Sequence, residues 1–362
     1  MSYYHSKFGN SRTKRKKTAF HRFVIGLLFI LVMTALGAGY YLYTVLYKPN
    51  VWTPKQADVS IFIASNSTFE DVKHIFYTQG LIIKRKPFEW LAERKNYINN
   101  VRGGHYIIRH GMSNDELINL LRSGMQTPVK VTFNNIRDVY QLAANVSRQI
   151  EADSSSIARL LTDTAYVAHL GFDPYSIACM FIPNTYEFYW TTHAEAFVSR
   201  MFQEYRAFWN DTRRAKAEET GLSKIEVSVL ASIIEKETNM NDEKPTIAGV
   251  YINRLNAGWR LQADPTLVFA AGDFEIRRVL DVHKAIDSPF NTYKYAGLPP
   301  GPICIPSIAS IDAVLNFENH RYFFFSAKDD FSGYHVFART NAEHQRNARR
   351  YRQALDRLNI KK

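Results

Sequence analysis

Cysteine is nearly absent: Cys179 and Cys304 are the only two in 362 residues. Both sit in apolar stretches, which fits two buried thiols as well as one disulfide in an oxidising compartment. No C-x-x-C or similar spacing occurs, so no zinc or other metal site is expected. Tandem repeats and low-complexity segments are missing too. Acidic residues are missing from the first 22 positions, which carry seven basic ones: Lys7, Arg12, Lys14, Arg15, Lys16, Lys17 and Arg22. More than half of the formal net charge of +12 therefore lies in one tail. A basic face spread over a folded domain, as nucleic acid demands, is not what this charge describes. The Arg-rich C-terminal segment (Arg346, Arg349, Arg350, Arg352) reads as a solvated helix face.

Charge disappears altogether between Phe23 and Tyr47. About 20 apolar residues span a bilayer core, and a cleaved signal peptide has a shorter apolar centre, roughly 7–15 residues. Tyr40, Tyr41, Tyr43 and Tyr47 form an aromatic belt at the far end. An uncleaved single-pass anchor is expected, with the basic tail in the cytoplasm and everything after Lys48 outside.

What remains is 46% hydrophobic and 22% charged over the whole chain, an ordinary globular balance. Residues 48–58 read as a polar linker with two prolines. "VSIFIAS" predicts a strand, followed by a helix with Ser67 and Glu70 as capping box and Gly80 as its stop. "GHYIIRHGMSNDELINLLRSG" repeats that logic, with Ser113, Glu116 and Gly124. Beyond Thr127, "PVKVTF" predicts a strand, "RDVYQLAANVSRQI" and 193–219 have helical period, and "FIPNTYEFYW" is an aromatic packing segment. Gly221 to Lys362 is dense in Pro, Gly, Asn and Tyr between helices. The fold class expected is α+β.

The stretch "KIEVSVLASIIEKET" carries two glutamates of different kind. On a helical wheel Val227, Val229, Leu230, Ile233 and Ile234 share one arc, and Glu237 falls near its middle. Glu235 falls opposite, beside Lys224, Ser228, Ala231 and Ser232, on what reads as the solvated side. A carboxyl in the last turn of an apolar stripe is held toward its neutral form by desolvation and by the negative end of the helix dipole. A carboxylic acid still protonated near neutral pH is what general acid catalysis needs. Downstream, Gln262, Asp264 and Thr266 are expected on a turn after a helix ending at Gly258. Asn291, Thr292, Tyr293 and Tyr295 are expected on a long irregular loop. Amides, hydroxyls and flat aromatic faces together suit a sugar-binding cleft.

"LASIIEKET", "EKPTIAGVYINRLNAGWRLQADPT", "FNTYKYAGLPPGPIC" and "YHVFARTNAEHQR" resemble the endolytic murein transglycosylases, the YceG-like family, over roughly 227–350. The segment 58–124 is similar to that family's LysM-like subdomain. The resemblance implies a basic tail (1–22), a transmembrane anchor (23–47), a linker (48–57), a LysM-like module (58–125), an intermediate mixed region (126–220) and a catalytic region (221–362). It implies cleavage of MurNAc-β-1,4-GlcNAc bonds within nascent peptidoglycan strands, leaving a 1,6-anhydro end, with no cofactor. The implied partners are the glycan strands and peptidoglycan synthases of the same membrane, at the extracytoplasmic face of the inner membrane. Glu237 followed by Thr238 matches the Glu-Ser pair of other lytic transglycosylases, so Glu237 is the expected acid and Glu235 the alternative or supporting partner. Gln262, Asp264, Thr266, Asn291, Thr292, Tyr293 and, more weakly, His335 are the cleft residues it implies. Departures occur at Ala178 and Asn184, where the family has acids, and at Ile305, where it has Asn. A hydrolytic muramidase using Asp264 as second carboxylate, and a non-catalytic glycan-binding scaffold, are the alternatives.

Overall fold

A computed structural model describes residues 1, 3, 12–276 and 278–357, so much of the basic tail lies outside the described residues. The chain divides into two units, 1–127 and 128–362.

The first unit begins with α1 (Arg12–Tyr47), whose stretch Ala19–Tyr47 is the one described helix long and apolar enough to cross a membrane. At 1.5 Å per residue its 29 residues reach about 43 Å, more than a hydrocarbon core. Its leucines, phenylalanines and tyrosines are exposed until Val45, which is buried against the folded part of the unit. There β1 (Val59–Ile63), α2 (Phe69–Thr78), α3 (Arg85–Arg94), β2 (Gly104–Ile108) and α4 (Asn114–Ser123) follow in order. The two strands pair antiparallel, Val59 opposite Ile108 and Ile63 opposite Gly104. Strand alternation turns Ile61 and Ile63 inward, onto a core built from Phe76, Phe88, Tyr97, Tyr106, Leu117 and Leu121.

Ser113 and Glu116 form the expected capping box of α4, and Gly124 ends it in the left-handed region. The cap of α2 differs by one residue: Thr68 and Asp71 form the box, not Ser67 and Glu70. Both pairs have the same spacing. Starting the helix at Phe69 is the register that turns Val72 and Phe76 into the core. Residues 48–57, read as a linker, are packed in part. Asn50, Val51 and Thr53 are buried, Pro49 bridges to Ser113, and Val51 bridges to Ile82.

The second unit runs through β3 (Val129–Phe133), α5 (Val139–Val146), α6 (Ser154–Thr162), α7 (Thr164–His169), β4 (Asn184–Phe188), α8 (Ala194–Phe208) and α9 (Asp211–Thr220). It continues with α10 (Lys224–Glu237), α11 (Lys244–Asn256), α12 (Asp264–Ala271), α13 (Asp281–Lys284), α14 (Ile308–Leu315), β5 (Phe324–Ala327), β6 (His335–Ala338) and α15 (Asn341–Arg357). β3 pairs with β4 and β5 with β6, both antiparallel. One hydrophobic cluster extends from Val131 to Leu315, so 126–220 and 221–315 share a core. The arginines of α15 are exposed, as their spacing implied.

At the centre of this unit is α10, packed by α9, α11, α12 and α14. The wheel left one side for solvent, yet Ser228, Ala231 and Ser232 are fully buried along with the valines and isoleucines. Small side chains on that side let neighbours approach closely. The two serines satisfy their hydroxyls within the helix, Ser228 on the Lys224 carbonyl at 3.0 Å and Ser232 on the Val229 carbonyl at 2.7 Å. Ser232 also accepts the Ile303 backbone N–H at 3.0 Å, which fastens the irregular loop to the helix.

A candidate acid–base site at the end of a buried helix

The C-terminal end of α10 carries its last residue, Glu237, out of the core and into a cleft of about 770 Å³. Asp264 lies in the same cleft, and Phe269, Phe274 and Ile303 supply apolar surface there. Glu237 is half-buried. The Tyr251 hydroxyl, from α11, donates to its Oε1 at 2.5 Å. Burial pushes the Glu237 carboxyl up to about 7, against the Tyr251 hydrogen bond, with Asp264 adding to the rise and Arg254 restraining it. Burial, Glu237 and the hydrogen bond to it raise the Tyr251 phenol well above its ordinary value, so it stays a donor.

Arg254, one turn along α11 from Tyr251, is buried and donates to the carbonyls of Phe323, at 2.8 Å, and Leu261. It thereby pins the segment that leads into α12. Tyr251 and Arg254 were not singled out from the sequence. The available signal was a tyrosine and an arginine at i and i+3 on one helix, which puts two polar groups on one face.

Glu235 is occupied differently. Its Oε2 accepts from Lys244 at 3.1 Å, from Ser307 at 2.6 Å and from Ser310. Burial opposes its ionisation, but the two serine hydroxyls and the Lys244 ammonium outweigh that, and its carboxyl lies below the ordinary range. Rather than pointing into water, Glu235 ties α10 to the N-terminus of α14, where Ser307 is the cap.

Of the remaining candidates Asp264 lines the cleft, while Gln262, Thr266, Asn291, Thr292, Tyr293 and His335 do not. Asp264 and Thr266 fall on the first turn of α12, not on a free turn. Asp264 is exposed and accepts the Tyr293 hydroxyl at 2.5 Å. Gln262 is exposed, with φ of 48°, and its N–H donates to the Thr292 carbonyl at 3.1 Å. Thr266, Asn291 and Thr292 were expected on the cleft surface and are instead fully buried beneath it. The Thr266 and Thr292 hydroxyls meet at 2.8 Å, and Thr292 accepts the Ala263 N–H at 3.0 Å. The Asn291 amide closes its own loop on the carbonyls of Lys284 and Ile286 and on the N–H of Tyr293. These three hold Asp264 and Tyr293 in place. His335 lies outside the cleft lining: its Nδ1 meets Glu243 at 2.7 Å, and Glu243 also accepts the hydroxyl of Thr238, the residue after Glu237. Cys179 and Cys304 are buried free thiols.

Fold and site together define a mixed α/β protein with an elevated carboxylic acid in a cleft that also offers apolar surface. The YceG-like family model matches residues 61–350, and the chain belongs to that family. It is 27% identical over 326 residues to the endolytic murein transglycosylase of Bacillus subtilis, covering 84% of this chain and 89% of that protein. It is 26% identical over 363 residues to the Streptococcus pneumoniae R6 protein of the same name, covering 90% of this chain and 64% of that longer one. A crystal structure of a yceG-like protein from Listeria monocytogenes superposes with a TM-score of 0.54 at 24% identity, covering 81% of this chain and 99% of the other.

Proposed function

We propose that this chain is a membrane-anchored endolytic murein transglycosylase with Glu237 as its single acid–base residue. The observation that carries the reading is the Glu237 carboxyl, raised to about 7 by burial and hydrogen-bonded to Tyr251 in an open cleft. Such a group holds its proton near neutral pH yet parts with it readily, as the reaction requires. As the acid it protonates the glycosidic oxygen while the C1–O4 bond breaks, releasing the GlcNAc 4-hydroxyl. As the carboxylate it then takes the proton of the muramoyl 6-hydroxyl, whose oxygen bonds to C1 and closes the 1,6-anhydro ring. The proton returns to Glu237, and no water is consumed. A two-carboxylate glycosidase instead needs its second acid free to activate water or to attack, whereas Asp264 is engaged by Tyr293. Gln262, Asp264 and Tyr293 are the proposed sugar contacts, with Thr266, Asn291, Thr292 and His335 as supports.

The apolar length of Ala19–Tyr47 supports the anchor, with the folded units on the extracytoplasmic side. The strand–helix–helix–strand order of 59–108 supports a LysM-like module, with 221–362 as the proposed catalytic region. Peptidoglycan synthases of the same membrane are the proposed partners, since the substrate is their product.

The test is the full chain in detergent, incubated with uncrosslinked glycan strands and read by mass spectrometry. Anhydro-muramoyl ends, abolished in Glu237→Gln and retained in Glu235→Gln, are expected. Reducing ends would instead assign a hydrolase and move the second carboxylate to Asp264. Intact strands would leave a glycan-binding scaffold.

A further inference from the structure

Three cations share the cleft with Glu237: Arg137, Lys236 and Arg278. A neutral sugar gives them nothing to pair with. Arg137 is set in place by the Phe274 ring, 4.1 Å from its guanidinium, and by Asp138 at 3.0 Å. Its side chain is still 43% exposed. Lys236 reaches Asn135 at 3.3 Å and is otherwise open to solvent. Arg278 is exposed and forms no ion pair among the described residues. Against these stand Glu237, half-neutral near pH 7, Asp264, held by Tyr293, and Asp138 beside Arg137. The cleft is therefore acid at the reacting point and net positive around it.

Resting on the function proposed above, we propose that Arg137, Lys236 and Arg278 form a subsite for the carboxylates of the peptide stem borne by the muramoyl residue. The reacting sugar is then selected by what hangs from it. Guanidinium groups suit this task, because their planar donors match a carboxylate in pairs. Phe274 keeps one of them from folding away. The substrate class is a glycan whose stems end in free carboxylates, and stems with masked carboxylates are poor substrates.

The full chain in detergent is offered two uncrosslinked glycans of equal length, one with free stem carboxylates and one with those carboxylates converted to amides. The ratio of kcat/KM between them is the readout, with equilibrium binding of the Glu237→Gln chain to both as a second measure. A preference of about tenfold for the free acid is expected, in line with charge-assisted hydrogen bonds. It should shrink as salt is raised and fall toward unity in the Arg137→Gln/Arg278→Gln chain. Equal cleavage and equal binding of the two glycans would overturn the subsite and leave the transglycosylase reading intact. Tight binding of the acid form without cleavage would support the subsite and refute the transglycosylase. Neither binding nor cleavage would remove both.

Discussion

Replacing Tyr251 by Phe removes one oxygen, 2.5 Å from the Glu237 carboxyl, and little else. A hydrogen bond to a charged group is worth about 1.5–3 kcal/mol. Tyr251 donates, and donation favours the carboxylate, so its loss favours the acid. At about 1.4 kcal/mol per pKa unit the shift is roughly one to two units. Glu237 would move upward from about 7. The free enzyme must hold Glu237 protonated to begin the reaction. In the wild type kcat/KM is therefore level at lower pH and falls as pH rises through about 7. In Tyr251→Phe the fall should begin one to two units higher, while kcat on the low-pH plateau drops, because a weaker acid gives up its proton less readily to the glycosidic oxygen. The assay is the pH profile of anhydro-end release on uncrosslinked strands. A descending limb that stays where it was, or moves to lower pH, would refute the assignment of Tyr251 as the donor that sets Glu237. An additional ascending limb would point to a second essential carboxylate.

The same elevation carries a stability cost. Raised from 4.5 to about 7, Glu237 stabilises the fold fully below pH 4.5, and that contribution is lost as pH rises through 7. The difference amounts to at most about 3 kcal/mol. Glu237→Gln should therefore melt several degrees above the wild type at pH 8 and close to it at pH 4.5, by thermal denaturation. Glu235→Ala should act in the opposite direction. It strips the partner from Lys244, whose side chain is 5% exposed, at a cost of about 3–5 kcal/mol, seen as a lowered melting temperature at pH 7.

The carboxyl at the end of α10 was legible because apolar periodicity makes any acid on the arc conspicuous. Periodicity could not show that the opposite side is buried as well. Ser228, Ala231 and Ser232 are polar or small, and only the neighbours that close on them reveal the reason. The same limit explains Thr266, Asn291 and Thr292. A hydroxyl or amide in a loop looks the same whether it faces a ligand or braces the backbone, and here each is consumed by its neighbours. The cap at Thr68 was missed by one residue because two pairs of equal spacing compete, and core register decides between them. Tyr251 and Arg254 act on Glu237 across a helix–helix contact, which no local pattern encodes.

Where α1 ends, the Val45 carbonyl accepts the side-chain amide of buried Asn114 at 2.8 Å, and Asn114 in turn accepts that of Asn50 at 2.6 Å. A bolt of this kind removes the swivel that a tether would have. With α1 as the proposed anchor, turning or tilting that helix turns the first unit with it. The folded part of that unit, roughly 30 Å across, would then move as one body with the helix.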